Sequence, residues 1–451
     1  MPVGIANYGG EDIENWILMP KTIAKSKRNY AHFDARTDIV KVEEKITNPV
    51  WVSHHGFYPF IHYVKDCSKY SKSGKVPKKR DICYAAHIDR CLLQYYCHEL
   101  NLLYNRQIKE RRIGDVPIAY RSDLGLNNIQ LAKLAFDYIK ENPYCYVMIG
   151  DFTGFFDNLD HGYLKRQWCN LLGVEQLPPD HYTIFKNITK YSIWELNDLL
   201  RMNGLPVSKA GQRKLNKQNT VLTKEEFKRY RSHIYKHSDT KGIPQGLPIS
   251  ALLANVYMID VDQQIKSIVN KYSGMYMRYS DDFIIILPVE KAQAIGILDE
   301  IIQIITSTVG LELEQKKTQI FEVKLPNVVN VGKQFFDRAD TSKNIINYLG
   351  FSFDGRSIML REKTISKYYY RMRRKARSIV ASPEKKGKRY LYEKYSERGA
   401  NVNRKSGKSR GNFFTYVNRA ERIFDESDPI KRPFLNHMSK IARILKSKHC
   451  S

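Results

Sequence analysis

Two adjacent aspartates, Asp281 and Asp282, lie between two apolar runs in the segment 275–287. The apolar runs predict two short β-strands, and the polar Ser-Asp-Asp step between them predicts a tight hairpin turn. Neighbouring carboxylates repel each other unless a positive charge lies beside them, and Mg2+ is a hard cation that prefers oxygen ligands. An Asp-Asp pair by itself is usually an ordinary surface turn. Because apolar strands flank this pair, we expect a buried sheet to present it, and the pattern favours a metal site.

A third carboxylate stands at the end of another predicted strand. The apolar run 144–150 ends at Asp151, and paired aromatic residues follow a few positions later. A two-metal site needs a further carboxylate from elsewhere in the chain, and Asp151 is placed to supply it. Between Asp151 and the hairpin stands the segment Lys-Gly-Ile-Pro-Gln-Gly at 241–246, which precedes a helix predicted over 251–265. Further helices are predicted over 88–104, 129–141 and 290–309.

The order and internal spacing of these three segments resemble the palm of reverse transcriptases, above all the bacterial enzymes related to group II introns and retrons. The resemblance implies an RNA-directed DNA polymerase, a nucleotidyltransferase, with an α+β right-hand polymerase fold. That fold has fingers and a palm of antiparallel sheet plus helices, and a mainly α-helical C-terminal thumb. We therefore expect an N-terminal extension at 1–70, fingers and palm at 71–358 with an insertion at about 175–240, and a basic thumb or RNA-binding region at 359–451.

The resemblance also implies a set of metal ligands. Asp151, Asp281 and Asp282, with the backbone carbonyl of Phe152, are expected to bind two Mg2+ ions, for which Mn2+ can substitute. Such ions lie about 3.5–4 Å apart, and they activate the primer 3′-hydroxyl and stabilise the leaving pyrophosphate. Since neighbouring strand residues point to opposite sides, we expect Asp151 and Asp281 to be the more direct ligands and Asp282 to be required but less direct.

Other site residues are carried over from the same resemblance. An aromatic ring beneath the incoming sugar would collide with a 2′-hydroxyl and so select deoxynucleotides, and Phe156 occupies that place. A flexible glycine turn after the palm would grip the primer end. The expected nucleotide-binding residues are Arg80, Lys79, Phe156, Gln245, Gly246 and Lys317, and the expected primer grip is Tyr348, Leu349 and Gly350. A solvated basic loop is the competing interpretation for Arg80 and Lys79, and an ordinary β-turn is the competing interpretation for the grip.

The composition of the chain indicates a polyanionic partner. The 451 residues carry a formal net charge of +27, and 30 of them are tyrosines. Phosphate neutralisation dominates nucleic-acid affinity, and tyrosine rings stack on bases. No lipidation signal or amphipathic membrane anchor is evident in the sequence.

The cysteines and the N-terminus indicate a cytoplasmic protein. Seven cysteines are scattered, and none has the Cys-x-x-Cys spacing of a zinc ribbon. An odd, dispersed set of cysteines predicts reduced thiols rather than a disulfide framework. The sequence has neither a secretory signal pattern nor an apolar run of membrane-spanning length. We expect the protein to act in the cytoplasm, without a membrane partner.

The C-terminal third mixes basic and aromatic residues. Over 367–375 they alternate at helical density, and basic loops follow at 385–389 and 404–410. This composition predicts that Tyr368, Arg371 and Arg374 bind RNA, although a thumb that holds any primer–template duplex would look the same. The expected partners are an RNA template, a cognate non-coding RNA, a DNA product and deoxynucleoside triphosphates, with homo-oligomerisation left open.

The biological role is the least specified prediction. Zinc-type cysteine pairs of intron endonuclease modules are absent from the sequence, and the compact chain looks like a retron or defence-associated reverse transcriptase. We expect DNA synthesis on a dedicated RNA in bacterial anti-phage defence, with a retron or group II intron enzyme or a template-independent polymerase as alternatives. From other classes, a nucleotide cyclase is disfavoured by Tyr279, which stands where a cyclase needs glycine. A non-catalytic RNA-binding protein is disfavoured because all three carboxylates are present.

Overall fold

The computed structural model describes residues 15–71, 74–121, 123–381, 387–400, 411–425 and 427–447. The basic loop expected at 404–410, and Lys385 and Lys386 of the preceding one, lie outside these described residues. The chain divides into two compact units, which we call the first and the second unit. The first comprises Met1–Tyr120, Phe152–Gln264 and Ile304–Glu312, and the second comprises Arg121–Asp151, Ile265–Gln303 and Leu313–Ser451.

The expected fold class is confirmed: the chain is α+β, with largely antiparallel sheets and a helical C-terminal region, as in a right-hand polymerase. The strands are β1 Phe60–Asp66, β2 Lys69–Ser71, β3 Gly74–Val76, β4 Lys79–Tyr84, β5 Tyr144–Asp151, β6 Ser192–Glu195, β7 Tyr235–Lys236, β8 Met275–Tyr279, β9 Asp282–Leu287, β10 Gln319–Lys324, β11 Asn327–Asn330, β12 Ile346–Tyr348, β13 Phe351–Phe353 and β14 Ile358–Leu360.

Helices make up most of the remaining described chain. They are α1 Pro20–Ser26, α2 Glu43–Ile46, α3 Pro49–His54, α4 His87–Glu110, α5 Asn128–Glu141, α6 Phe155–Asn158, α7 His161–Leu172, α8 Pro179–Thr189, α9 Leu196–Met202, α10 Lys209–Leu215, α11 Lys224–Arg229, α12 Ser250–Tyr257, α13 Ile259–Lys271, α14 Lys291–Ser307, α15 Glu362–Ala381, α16 Lys388–Tyr395, α17 Phe413–Ile423 and α18 His437–Lys446. Short 3-10 helices occur at Val40–Val42, Arg231–His233, Gly332–Gln334, Glu397–Gly399 and Arg432–Phe434. Among the described helices, none combines the length and apolar character needed to cross a membrane.

The first unit contains a four-stranded sheet in the order β4-β1-β6-β7. β1 pairs with β4 in antiparallel register, and it pairs with β6 in parallel register. The expected boundary at residue 70 therefore separates two strands of one sheet. The segment 175–240 is likewise part of this sheet, because it supplies β6 and β7. The apolar residues of the segment pack into a core with residues from β1 and the N-terminal region. They are Trp194, Leu196, Leu199, Leu200, Leu215, Val221 and Leu222.

The N-terminal region caps the longest helix of the first unit. Asp34 accepts hydrogen bonds from the backbone N–H groups of His87 and Ile88, each at 2.9 Å. The Tyr30 hydroxyl donates to the carbonyl of Ala85 at 2.8 Å. Because the first N–H groups of a helix have no partner within it, this carboxylate stabilises the start of α4 from a distant part of the chain.

The second unit contains an antiparallel five-stranded sheet in the order β11-β10-β5-β9-β8. The expected strand before Asp151 and the expected hairpin are both present, as β5 and as the β8–β9 pair. β5 lies at the centre of the sheet with six consecutive buried residues, so its last residue is held by a rigid element. The helix expected over 251–265 is instead divided at Met258 into α12 and α13.

Candidate active site

The hairpin turn between β8 and β9 is built around a buried arginine. Tyr279 pairs with Asp282 at the end of the ladder, and this leaves Ser280 and Asp281 as a two-residue turn. Ser280 has a φ of +62°, as tight hairpin turns require. Arg278 is fully buried, and its guanidinium donates to the Ser280 carbonyl at 3.1 Å. Sequence reasoning missed Arg278, although a basic residue inside an otherwise apolar strand was a visible signal.

Asp151 and Asp282 stand directly opposite each other on neighbouring strands. Asp151 is the last residue of β5, Asp282 is the first residue of β9, and the two are register partners. Cross-strand partners have Cβ atoms about 4.5–5.5 Å apart and share a face of the sheet. Asp281 lies in the adjoining turn. The ladder therefore gives no support to the expectation that Asp282 is the less direct of the three carboxylates.

Lys317 contacts Asp151 of this carboxylate pair. Its ammonium Nζ lies 2.6 Å from Oδ1 of Asp151 and 3.9 Å from a carboxylate oxygen of Glu314. The Glu314 backbone N–H donates to the Asp151 carbonyl at 2.8 Å, which fixes the loop that carries the lysine. The expectation for Lys317 was a place near the transferred phosphate, and the structure places it on Asp151. A positive charge thus lies beside the Asp151 carboxylate.

Asp282 has an unusual proton affinity. Although the residue as a whole is exposed, the loss of hydration around its carboxyl raises its pKa, as does the repulsion from Asp281 and Asp151, to about 7. A neutral Asp282 can share a hydrogen bond with Asp151. The charged form of Asp282 is therefore disfavoured by the two other carboxylates, which is the electrostatic condition that a divalent cation relieves.

The donor set fits a hard divalent cation by its chemistry. All three side chains offer carboxylate oxygens, which Mg2+ prefers. In the described part of the chain, no three acidic, histidine or cysteine side chains are already gathered as they would be around one ion. The Lys317 ammonium hydrogen-bonds a carboxylate oxygen of Asp151 that a metal ion would also use.

The expected nucleotide-binding residues other than Lys317 lie in the first unit. Arg80 and Lys79 are exposed on β4. Further along that strand, the Cys83 N–H donates to the Gln245 carbonyl at 2.8 Å. Gly246 has a φ of +106°, and a Cβ there would lie 2.5 Å from the Cys83 carbonyl oxygen. Glycine at this position is thus required for packing against β4, whatever its role toward a template.

Phe156 lies on the one-turn helix α6 beside the same loop. Its ring is half-buried, whereas the neighbouring Phe155 is 4% exposed and belongs to the core. The Ile243 N–H donates to the Phe156 carbonyl at 2.9 Å, and the Gln245 side chain hydrogen-bonds the Asp157 carboxylate. The structure therefore brings together Phe156, Gln245 and Gly246. Phe152, which follows Asp151, also belongs to the first unit, and its side chain is buried.

The expected primer grip is a hairpin turn in the second unit. Leu349 and Gly350 join β12 to β13 with φ values of +45° and +97°, and Tyr348 before them is buried. The Asn128 amide donates to the Leu349 carbonyl and to the Tyr416 hydroxyl, both at 3.1 Å. Sequence reasoning gave neither Asn128 nor Tyr416 a role at this turn, since contacts across more than 200 residues leave no local signal.

The expected RNA-binding residues do not share one environment. Tyr368 is 5% exposed, and its hydroxyl donates to the Tyr395 carbonyl at 2.6 Å. The ring of Tyr368 thus belongs to the apolar face of α15, and RNA binding by this residue stays a prediction. Arg371 and Arg374 lie on the exposed face of the same helix.

Comparison with known families decides the class of the protein. A family model described as reverse transcriptase (RNA-dependent DNA polymerase) matches residues 76–353, which is more than half of the chain. The chain belongs to the reverse transcriptase family.

Solved structures of telomerases are also similar to this chain. Apo telomerase from Candida Tropicalis, truncated from its C-terminal domain, is 12% identical, with a TM-score of 0.40 over 72% of this chain and 61% of that one. Telomerase from Candida albicans in complex with a TWJ fragment of telomeric RNA is 14% identical, with a TM-score of 0.39 over 90% and 61%. The match thus spans about 61% of these telomerase chains. No protein of curated function matches the sequence.

Proposed function

We propose that this reverse transcriptase adds deoxynucleotides to a primer on an RNA template by two-metal phosphoryl transfer. The observation that carries the proposal is the pairing of Asp151 with Asp282 at the end of a buried ladder, with Asp281 in the adjoining turn. Rigid strands hold these carboxylates, as precise metal placement demands. Membership of the reverse transcriptase family supports the same chemistry.

Asp151, Asp281 and Asp282, with the backbone carbonyl of Phe152, are the residues that would hold two Mg2+ ions, or Mn2+ in their place. Such ions activate the primer hydroxyl and neutralise the leaving pyrophosphate. Lys317 compensates the charge of Asp151 in the absence of metal, since its ammonium lies at 2.6 Å. Loss of hydration and the neighbouring carboxylates raise the pKa of Asp282 to about 7, and a divalent cation held there would favour its charged form.

The remaining residues are assigned to substrate selection. Phe156 is proposed to contact the sugar and to exclude a 2′-hydroxyl, and its half-buried ring is accessible for that contact. The exposed Arg80 and Lys79 are proposed to bind the triphosphate. Gln245 with Gly246 is proposed to line the pocket of the new base pair, and the turn Tyr348, Leu349 and Gly350 is proposed to hold the primer end.

For the biological role, we propose synthesis on a dedicated non-coding RNA in bacterial anti-phage defence, in the cytoplasm. The net charge of +27 supports stable RNA binding. Retron-type or intron-type synthesis, and synthesis without a template, are the alternatives. Family membership and Tyr279 both weigh against a nucleotide cyclase.

The test is incorporation of nucleotides by the purified full chain with Mg2+. A primed RNA of known sequence is supplied with all four deoxynucleotides, with all four ribonucleotides, or with deoxynucleotides and no RNA. Sequenced DNA complementary to the added RNA supports the proposal. Product without RNA supports the template-independent alternative, and no product under any condition contradicts the polymerase assignment. RNA that copurifies from the native host is sequenced in parallel, and one dominant transcript supports a dedicated RNA.

A further inference from the structure

A basic cleft opens beside helix α15 in the second unit, and we call it the thumb cleft. Its volume is about 840 Å3, and its lining includes Lys367, Arg371 and Arg374 on α15, Tyr390 and Lys394 on α16, and Phe413 at the start of α17. Cavities of ~300–1,000 Å3 are the size of small-molecule sites. The thumb cleft is therefore large enough for a nucleotide.

The charge of the thumb cleft favours a phosphate-bearing occupant. Lys367, Arg371, Arg374 and Lys394 are all exposed to solvent. Among the described lining residues the one carboxylate is Glu393, which accepts a hydrogen bond from Arg389 at 2.8 Å. Guanidinium groups bind phosphate oxygens through paired N–H donors, so the α15 side is suited to a phosphodiester.

The opposite side of the thumb cleft carries a tyrosine ring that is fixed in place and accessible. Tyr390 is 43% exposed. The Lys394 ammonium donates to its hydroxyl at 3.0 Å, and the Lys375 ammonium lies 5.6 Å from the ring centroid. The Lys394 ammonium also lies 5.3 Å from the ring centroid, and Tyr390 lines the cleft with part of its side chain exposed. Such a ring is a stacking platform for an unpaired base. A base that is paired and stacked inside a continuous duplex cannot reach the ring.

The basic surface continues beyond this cleft around α15. A second cleft of about 550 Å3 is lined by Tyr370, Arg373 and Arg377, and Arg374 borders both. An occupant that carries several phosphates in sequence fits this arrangement better than an isolated nucleotide does. An acidic peptide would satisfy the cations but would make no use of the exposed ring of Tyr390.

We propose that the thumb cleft binds one unpaired nucleotide of a structured RNA, with the base stacked on Tyr390 and the phosphates on Arg371 and Arg374. Single-stranded loops and bulges are where proteins recognise RNA, because their bases can leave the stack and lie on aromatic side chains. The inference rests on the proposed function in that it takes RNA as the partner. The inference adds a position at which the protein distinguishes an RNA helix with a bulged nucleotide from a continuous RNA helix.

The experiment measures equilibrium binding of the full chain to two labelled RNA hairpins that differ by a single bulged nucleotide, at several salt concentrations. The bulged hairpin is expected to bind at least about five-fold more tightly, as one base stack provides. Tyr390→Leu abolishes this preference, whereas Tyr390→Phe, which keeps the ring, retains it. The matched control is Tyr182→Leu, because Tyr182 is 45% exposed with the Lys165 ammonium 5.3 Å from its ring, yet lies in the first unit. Thermal unfolding of each variant confirms that it is folded.

A second pair of variants tests the phosphate contacts. Arg371→Gln with Arg374→Gln is expected to weaken both hairpins alike and to make binding less dependent on salt. Equal affinity of the unaltered chain for the two hairpins, or a preference that survives Tyr390→Leu, overturns the proposal. An equal preference for a bulged DNA hairpin overturns the claim that the cleft is specific for RNA. Displacement of the bulged RNA by an acidic peptide of matched charge overturns the proposal in favour of a protein partner. The double substitution Asp281→Ala and Asp282→Ala should leave the preference intact, so that loss of polymerase activity and loss of this site are separate outcomes.

Discussion

Phe156 is the residue on which the choice of sugar depends in this account. Replacing it by valine removes most of the ring that would collide with a 2′-hydroxyl, and ribonucleotide incorporation should rise relative to deoxynucleotide incorporation. The half-buried ring predicts a modest loss of stability, below the roughly 3–5 kcal/mol of a fully buried Phe→Ala change. The ratio of the two kcat/KM values and the unfolding midpoint are measured on the same variant.

Phe155→Val is the matched control, because the neighbouring ring is 4% exposed and belongs to the core. It should lower stability more than Phe156→Val and leave the sugar preference unchanged. If Phe156→Val destabilised the protein without changing that preference, Phe156 would be a core residue.

Lys317 is expected to oppose metal binding in the absence of nucleotide. Its ammonium lies 2.6 Å from Asp151, so Lys317→Gln frees a carboxylate oxygen. Mg2+ should then bind the nucleotide-free protein more tightly, whereas deoxynucleotide incorporation should become slower. Calorimetric titration of Mg2+ and single-turnover incorporation measure the two effects.

Lys316→Gln makes the same change of net charge at an exposed neighbouring position. It should change neither the Mg2+ affinity nor the rate by more than a small factor. Weaker Mg2+ binding by Lys317→Gln would show that the lysine assists the metal ligands instead of competing for them.

At the scale of a single element, replacing either of two glycines by alanine is expected to change the unfolding free energy, in opposite directions. A Cβ at Gly150 of β5 would lie 2.1 Å from the fully buried ring of Phe283 on β9, so alanine there should cost about 1–3 kcal/mol of unfolding free energy. A Cβ at Gly296 of α14 would meet no atom within 4 Å, and alanine there should stabilise the helix by about 0.5–1 kcal/mol. Urea unfolding measures both. A harmless Gly150→Ala would mean that the ladder supporting Asp151 is not tightly packed.

Glu99 on α4 predicts a pH dependence of stability. Loss of hydration on burial, together with the nearby charge of Asp180, raises the pKa of Glu99 to about 7, although a hydrogen bond from Tyr95 opposes the shift. A carboxyl whose pKa is raised on folding contributes stability that is fully present below its unfolded pKa and is lost as the pH rises through about 7. Glu99→Gln should therefore raise the melting temperature relative to the unaltered protein more at pH 8 than at pH 5. The same difference at both pH values would exclude this titration.

Elements defined by local patterns could be predicted from the sequence, and those defined by distant contacts could not. The strand that ends at Asp151 and the hairpin that carries Asp281 follow from apolar runs and a polar turn. The parallel pairing of β6 with β1 joins residues more than 130 positions apart, and no periodicity encodes it. For the same reason the lysine-rich composition of the segment 175–240 does not indicate that Trp194 packs in a core.

The candidate site shows the same division. The carboxylates were identifiable by residue type and order, but the contact of Lys317 with Asp151 required the fold of an intervening loop. The burial of Tyr368 could not be predicted, because basic and aromatic residues alternate along α15 and composition does not distinguish a buried tyrosine from an exposed one. Its hydroxyl satisfies the Tyr395 carbonyl within the core.

At the scale of the whole molecule, the excess of positive charge and the paired carboxylates bear on two requirements of the proposed DNA synthesis. The charge bears on nucleic-acid binding, and the carboxylates bear on the chemical step. A net charge of +27 provides affinity for a phosphate backbone without regard to sequence, and it makes that affinity strongly dependent on salt. Charge alone would equally suit a protein that binds RNA without copying it. What distinguishes a polymerase is the dependence of DNA synthesis on the carboxylates at the end of the β5–β9 ladder.

The most direct test is primer extension by the double variant Asp281→Ala and Asp282→Ala. Its control is Asp299→Asn with Glu300→Gln, an adjacent acidic pair on the exposed surface of α14 in the same unit. Both variants are first compared by thermal unfolding without metal, where removal of mutually repelling carboxylates should leave the first at least as stable as the unaltered protein. We expect no detectable DNA synthesis by the folded Asp281/Asp282 variant and ordinary synthesis by the control. Ordinary synthesis by a folded protein that lacks both Asp281 and Asp282 would contradict this expectation.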